Sequence, residues 1–255
     1  MPKPVQNDFA RFTLANQPAK PRIVAGSCGE VGTRKTSFWL GAPGPIVIFS
    51  FDRGLEGVVE PYQTEKEIYV KEYDWATAPG KEADQGAAQD IVDQFTEDFE
   101  HAITVARTVV IDKESDLWSV AKYARFGPPE KGRPDDWDGL KAQIRRLLNM
   151  PKALDLNFGV IQAMRNEWVQ GPVNPNSGKA GIKQTGVRIP AGMEEVEAIM
   201  HINIEHLHQD GEFLMKIGKA RGPGGRDIQY QTIPAVDFVT FAQLVFPDSN
   251  EGDWV

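Results

Sequence analysis

The chain has one cysteine, Cys28, in 255 residues. A lone thiol excludes an internal disulfide framework, the device by which small secreted domains reinforce a thin core. Long apolar runs are missing as well: none approaches the roughly eighteen residues that cross a bilayer as a helix. The opening Met1-Pro2-Lys3-Pro4 lacks the apolar core of a secretory leader. Histidine is scarce, at 4 residues, and although His206 and His208 share a strand face, no cysteine or third clear ligand accompanies them. That argues against a metal site at the pair. No internal repeat is present. These absences lead to the expectation of a protein of a reducing cytoplasm.

What is present is ordinary in bulk and uneven in place. The chain is 41% hydrophobic and 25% charged, close to globular usage, and its length suits one α/β domain with long loops. The formal net charge of -8 by itself disfavours a polyanionic partner. Yet Asp52 to Glu100 holds 14 acids and 4 bases, leaving 24 bases against 22 acids elsewhere. A basic face outside that segment is therefore open to the chain. Residues 1–20, polar and proline-containing, are expected to form an irregular arm. Residues 21–247 form the domain, and 248–255 form an acidic tail expected to be mobile.

The informative stretch is Ile23 to Asp52. It reads as a strand, a glycine-bearing turn, a short helix, a Pro-Gly-Pro break and a second strand. At its centre Gly29-Glu30-Val31-Gly32-Thr33-Arg34-Lys35-Thr36 nearly matches the phosphate-binding pattern G-x-x-x-x-G-K-[ST]. Arg34 replaces the second fixed glycine. In such a loop, backbone N–H groups and the following helix N-terminus face phosphate oxygens. The lysine reaches the outer phosphates, and the hydroxyl of Thr36 is placed for Mg²⁺. A side chain at position 34 brings strain of about 1–3 kcal/mol if it is forced into a glycine's conformation.

Further along, Ile46 to Phe51 is a continuous apolar run ending at Asp52, as expected of a parallel strand buried on both faces. Asp52-Arg53-Gly54-Leu55-Glu56-Gly57 then falls at the carboxyl edge of the sheet, where open α/β sheets bind ligands. Glu67 to Val70 reads as a short strand and Pro79 to Gly86 as a loop. Ile91, Phe95, Phe99 and Ile103 mark one helix face. Thr108 to Asp112 is an apolar strand ending in a carboxylate. A helix through Leu117, Trp118 and Ala121 leads to a loop at Gly127–Pro134. The next helix, capped by Asp135 or Asp136, buries Trp137, Leu140, Ile144, Leu147 and Leu148. Asn157 to Gln162 reads as a third buried strand, with Gln162 open to two readings, a phosphate sensor or an ordinary strand-end amide.

The composition then shifts to Gly, Pro, Asn and Ser from Val169 to Gly192, predicting a long irregular loop. A hairpin turning at Asp210-Gly211 follows. The basic Lys216–Arg226 reads as a hairpin tip, which is either solvated or a source of charge for a phosphate. Ile228, Tyr230 and Thr232 read as a strand, and Phe238, Phe241 and Leu244 as a last helix capped by Asp237.

Taken together, GEVGTRKT, APGPIVIFSFDRGLEGVV, VVIDKESDLW, NFGVIQAMRNEW and the late Lys219-Ala220-Arg221 resemble the phage-encoded ATPases built on a minimal RecA-like core. The resemblance covers roughly Pro21 to Pro247. It implies an α/β P-loop NTPase fold, with a mainly parallel central sheet flanked by helices and a C-terminal β-hairpin. It implies ATP bound by Gly29, Glu30, Val31, Gly32, Thr33, Arg34, Lys35, Thr36 and Ser37, with Mg²⁺ held by Thr36 and Asp112. By the same resemblance Lys35, Asp52 (with Glu56 as its alternative), Gln162 and Arg221 are the catalytic candidates, Asp52 as the acid that polarises water. The implied activity is Mg²⁺-dependent ATP hydrolysis in recombination and annealing of single-stranded DNA, in the host cytoplasm. Implied partners are further copies of the chain and a single-strand DNA-binding protein, with Lys122–Arg133 and Lys179–Arg188 facing DNA. Two alternatives stand beside it: a nucleotide-binding structural or loader protein with little hydrolysis, and a small-molecule kinase. The kinase reading lacks an arginine-rich lid.

Overall fold

The computed structural model describes residues 21–75, 84–128, 137–173 and 180–254. Its core is an eight-stranded sheet. In chain order the strands are β1 (Val24–Gly29), β2 (Ile46–Ser50), β3 (Ile68–Glu72), β4 (Thr108–Asp112), β5 (Asn157–Gln162), β8 (Ile202–Gln209), β9 (Glu212–Ala220) and β10 (Thr232–Pro234); β6 (Met164–Val173) and β7 (Ala180–Pro190) pair separately. Across the sheet the order is β10-β9-β8-β1-β5-β4-β2-β3. The strands from β3 to β8 are all parallel, and β9 and β10 are added antiparallel at one edge. This is the expected α/β class, with a large, mainly parallel sheet flanked by helices and a C-terminal hairpin.

Side-chain alternation sorts the sheet into two faces. Val24, Phe49, Val109, Ile111, Phe158 and Val160 pack beneath α2 (Gln85–Val105), α3 (Glu114–Phe126) and α4 (Asp138–Asn149). Ile23, Ala25, Ile46, Ile48, Val110 and Ile161 pack against α1 (Lys35–Leu40) and α7 (Phe238–Val245), while the one-turn α5 (Val196–Ile199) leads into β8. Because both faces are covered, β4 is buried at every position, so its sequence reads as an unbroken apolar run. Trp39 of α1 lies flat on Gly159 of β5: a Cβ there would sit 2.5 Å from the indole. Its Nε1 donates to Ser27 Oγ at 3.0 Å. The short helix that follows the Gly29–Arg34 turn is thereby fixed to the sheet.

Several expectations are corrected. The stretch from Val169 to Gly192 is not irregular where it is described: β6, which begins already at Met164, and β7 pair antiparallel, with residues 174–179 between them outside the described residues. Gly171, Gly181 and Gly186 interrupt the period-two signal, and the cross-strand hydrogen bonds that decide the matter are not local. Residues 228–232 are not one strand: α6 (Gly225–Ile228) precedes β10, and Tyr230 between them has φ 63. The end of the chain is docked, since Trp254 is 1% exposed and packs on Phe238 and Phe246. Asp84 and Asp237 cap α2 and α7 by accepting from Gly86 N and Thr240 N. Residues 1–20 and the candidate caps Asp135 and Asp136 lie outside the described residues. So do most of the Pro79–Gly86 and Gly127–Pro134 loops, and Lys179.

Candidate functional site: a phosphate loop at the carboxyl edge of the sheet

At the end of β1 the chain must turn within a few residues into α1. Gly29 makes this possible. Its φ is 149, and a Cβ would lie 2.3 Å from the carbonyl oxygen of His206 on the neighbouring strand, so only glycine fits. The loop is closed from inside by Thr33, whose hydroxyl donates to Glu30 O at 2.8 Å. Arg34 occupies the N-cap of α1 in a left-handed conformation, φ 65 and ψ 24. Its guanidinium lies 3.8 Å from the ring centroid of Phe213, which in turn stacks on His208 at 4.4 Å. The missing glycine is thus accommodated, with the strained residue held by the β8–β9 hairpin.

The next two residues face the cleft. Lys35 Nζ donates to Gly29 O at 2.9 Å and Glu30 O at 2.7 Å. Burial lowers its pKa, opposed by the Asp112 charge. Thr36 Oγ1 donates to Asp112 Oδ2 at 2.9 Å across 76 residues of sequence. Asp112 is 8% exposed. Burial pushes its carboxyl up to about 6, Asp52 adds repulsion, and Thr36, Lys35 and Lys113 oppose the shift. Asp52 accepts from Gly54 N at 3.0 Å and meets Lys113 Nζ at 3.3 Å. Lys113 also pairs with Asp116.

These groups line one cleft of about 500 Å³, together with Gly29, Glu30, Val31, Gly32, Arg34 and Ser37, a size usual for small-molecule sites. Of the loop residues expected to contact nucleotide, only Thr33 turns inward. Among the described residues no cluster of three or more His, Cys, Asp or Glu side chains could hold a metal by itself.

Three candidates are placed elsewhere. Gln162 does not face the cleft. Its amide donates to Glu114 Oε2 at 2.9 Å and Ala191 O at 2.8 Å, because alternation on β5 turns Ile161 toward the cleft and position 162 away from it. Glu56 is exposed and outside the cleft lining. The basic segment Lys216–Arg226 is not a hairpin tip; that is Asp210-Gly211, both with positive φ. Arg221 follows β9, its N–H bonding His201 O at the start of β8. Since β8 runs parallel to β1, Arg221 lies at the opposite edge of the sheet, roughly 15 Å or more from the loop by strand rise.

Sequence reasoning gave two groups no place at this site: Glu114, and Arg188, which it assigned to a segment facing DNA. Glu114, 0% exposed, accepts from Gln162 and from Met193 N at 3.2 Å, and burial pushes its carboxyl up to about 7. Arg188 of β7 grips Glu30 of the loop with Nε and Nη2 at 2.6 and 3.0 Å. No local signal announces a contact across 158 residues.

Fold and site together define an α/β domain with a large, mainly parallel sheet and a glycine-bearing loop leading into a helix at its carboxyl edge. No family model and no curated protein matches the chain. Among solved structures it is similar to one described as the crystal structure of the RadB recombinase, at 9% identity and a TM-score of 0.43, covering 78% of this chain and 81% of that one. Among the described residues no helix is long and apolar enough to cross a membrane.

Proposed function

We propose that the chain is an ATP-binding and ATP-hydrolysing protein of phage DNA recombination or single-strand annealing, built on a RecA-like core and acting on single-stranded DNA as a homo-oligomer. The nucleotide part is carried by one juxtaposition: Thr36 and Asp112, 2.9 Å apart, beside Lys35 on the floor of the cleft. Lys35 rests on two carbonyl oxygens, an arrangement from which a phosphate, a stronger acceptor, can draw it. Thr36 and Asp112 offer oxygen donors only, which suits Mg²⁺, and a buried carboxylate whose ionised form is disfavoured gains by meeting a cation. Bound there, Mg²⁺ would supply charge neutralisation at the phosphate oxygens. Asp52, oriented by the Gly54 N–H and Lys113, is the group to align and deprotonate the attacking water. Arg221 can contribute only to a neighbouring copy's site.

The DNA part is supported by the β6–β7 hairpin, which exposes Trp168, Ile182 and Val187, and by Lys122 and Tyr123 of α3. Burial and the nearby Arg165 charge lower the pKa of Lys122, with Glu114 opposing, so α3 and the hairpin root lie within electrostatic range of each other. An exposed Trp168 on strands that also carry the exposed Lys183 suits a single strand bound through its phosphates and by stacking.

A second reading, a nucleotide-binding structural or loader protein, is favoured by the ion pair that Lys113 makes with Asp52, since the pair occupies the carboxylate that would have to align the attacking water. Steady-state ATP hydrolysis with Mg²⁺, with and without single-stranded DNA, separates the two. DNA-stimulated turnover that falls about 100-fold or more in Lys35→Ala is expected. Binding without turnover would favour the loader, and wild-type turnover in Lys35→Ala would overturn the site.

A further inference from the structure

We infer that Arg188 reads the outer phosphate of the bound nucleotide and carries that reading into the β6–β7 hairpin. The inference rests on the nucleotide reading above and adds a residue and a direction to it. Arg188 belongs to the second strand of the hairpin, yet its side chain lines the cleft with Lys35, Thr36 and Asp112. There its Nε and Nη2 hold the two carboxylate oxygens of Glu30 at 2.6 and 3.0 Å. This is the two-pronged geometry by which a guanidinium takes either a carboxylate or a phosphate. Glu30 therefore occupies the face of Arg188 that a phosphate would use.

The exchange is open to a ligand. Side-chain exposure is 41% for Arg188 and 55% for Glu30, and ion pairs this accessible to water contribute little. Glu30, once released, is solvated at no great cost. A multiply charged phosphate between Lys35 and Arg188 outcompetes a single carboxylate. The loop amides and Lys35 serve any nucleotide with phosphates. Arg188 stands on the wall built by Ala163 and Met164 at the hairpin root, so it is the side chain suited to a phosphate that a diphosphate lacks.

The same guanidinium ties the two hairpin strands together. Nη1 donates to Asn166 Oδ1 at 2.8 Å and Nη2 to Met164 O at 3.0 Å, both on β6. The strand register shifts just beyond, between Asn166 and Trp168. Moving Arg188 from Glu30 to phosphate changes the hydrogen bonds that hold the hairpin at its root, while the exposed part farther out follows. Nucleotide state and hairpin state are then linked through one side chain.

The test compares ATP, a non-hydrolysable ATP analogue and ADP, each with Mg²⁺, by calorimetry on the full chain. Wild type, Arg188→Ala, Arg188→Lys and Glu30→Gln are used, with circular dichroism to establish folding. Arg188→Ala is expected to lose about tenfold or more in triphosphate affinity while ADP affinity changes little. Arg188→Lys, with charge but no fork, falls between, and Glu30→Gln binds triphosphate more tightly than wild type. In hydrogen exchange the hairpin amides of wild type respond to the ATP analogue and not to ADP, a difference absent in Arg188→Ala. Unchanged ATP-to-ADP preference in a folded Arg188→Ala overturns the inference while leaving the site intact. A wild type that binds no nucleotide, or a Lys35→Ala that binds as wild type does, overturns the nucleotide reading and the inference with it.

Discussion

Arg34 holds a backbone conformation that glycine usually supplies, and it does so at the point where the loop becomes a helix. A non-glycine residue in the left-handed region costs about 1–2 kcal/mol. Its stack on Phe213 returns about 0.5–1 kcal/mol at an accessible site. The two substitutions at this position therefore have different consequences. Arg34→Ala keeps the strain and loses the stack, so it is expected to be less stable than wild type by about 0.5–1 kcal/mol. Arg34→Gly loses both and is expected to exceed the alanine variant by about 1 kcal/mol. Urea midpoints of the three proteins check this, and equal stability of the alanine and glycine variants would remove strain from the account.

At the scale of elements, the hairpin is fastened to the body by a buried carboxylate. Glu114 begins α3 and accepts from Gln162, just before β6, and from Met193, just after β7. Gly192 has φ 91, and a Cβ there would lie 2.1 Å from a Glu114 oxygen, so the segment passes the carboxylate at the closest approach available. Burial raises the Glu114 pKa from 4.5 to about 7. The folded state therefore holds this proton more tightly than the unfolded state does. The stability it contributes is complete below about pH 4.5 and is lost as pH rises through about 7. Glu114→Gln is expected to remove about one proton from the pH dependence of stability in that window. Urea titrations at several pH values measure it; the Asp112 contribution, which has the same sign and runs up to about pH 6, remains in the variant. An unchanged slope would mean that Glu114 ionises freely in the fold.

For the molecule as a whole, the last residues complete the core. Trp254 closes the cluster built on Phe238, Phe241 and Phe246, with its Nε1 donating to Ser249 Oγ at 2.8 Å. Trp254→Ala is expected to cost about 3–5 kcal/mol, as removal of a buried aromatic does. Trp168→Ala, at a side chain that is 55% exposed, should stay within about 0.5 kcal/mol. Chemical denaturation of both variants makes the comparison. A tail that tolerated Trp254→Ala as well as the hairpin tolerates Trp168→Ala would have to be peripheral after all.

The sequence by itself determined the elements whose causes are local or periodic. Unbroken apolar runs mark β2, β4 and β5 because parallel strands are buried on both faces. Four-residue spacing marks α2, and Asp210-Gly211 marks a turn needing two positive φ values. The turn from β1 into α1 was legible too, because a glycine at position 29 is what the close approach to the neighbouring strand requires. Only the tertiary structure decided what depends on which strands become neighbours. It brought Asp112 to Thr36, turned Gln162 to Glu114, sent Arg221 to the far edge, and joined Arg188 to Glu30. Strand order and hairpin register fix these contacts, and neither is written in any local window of residues.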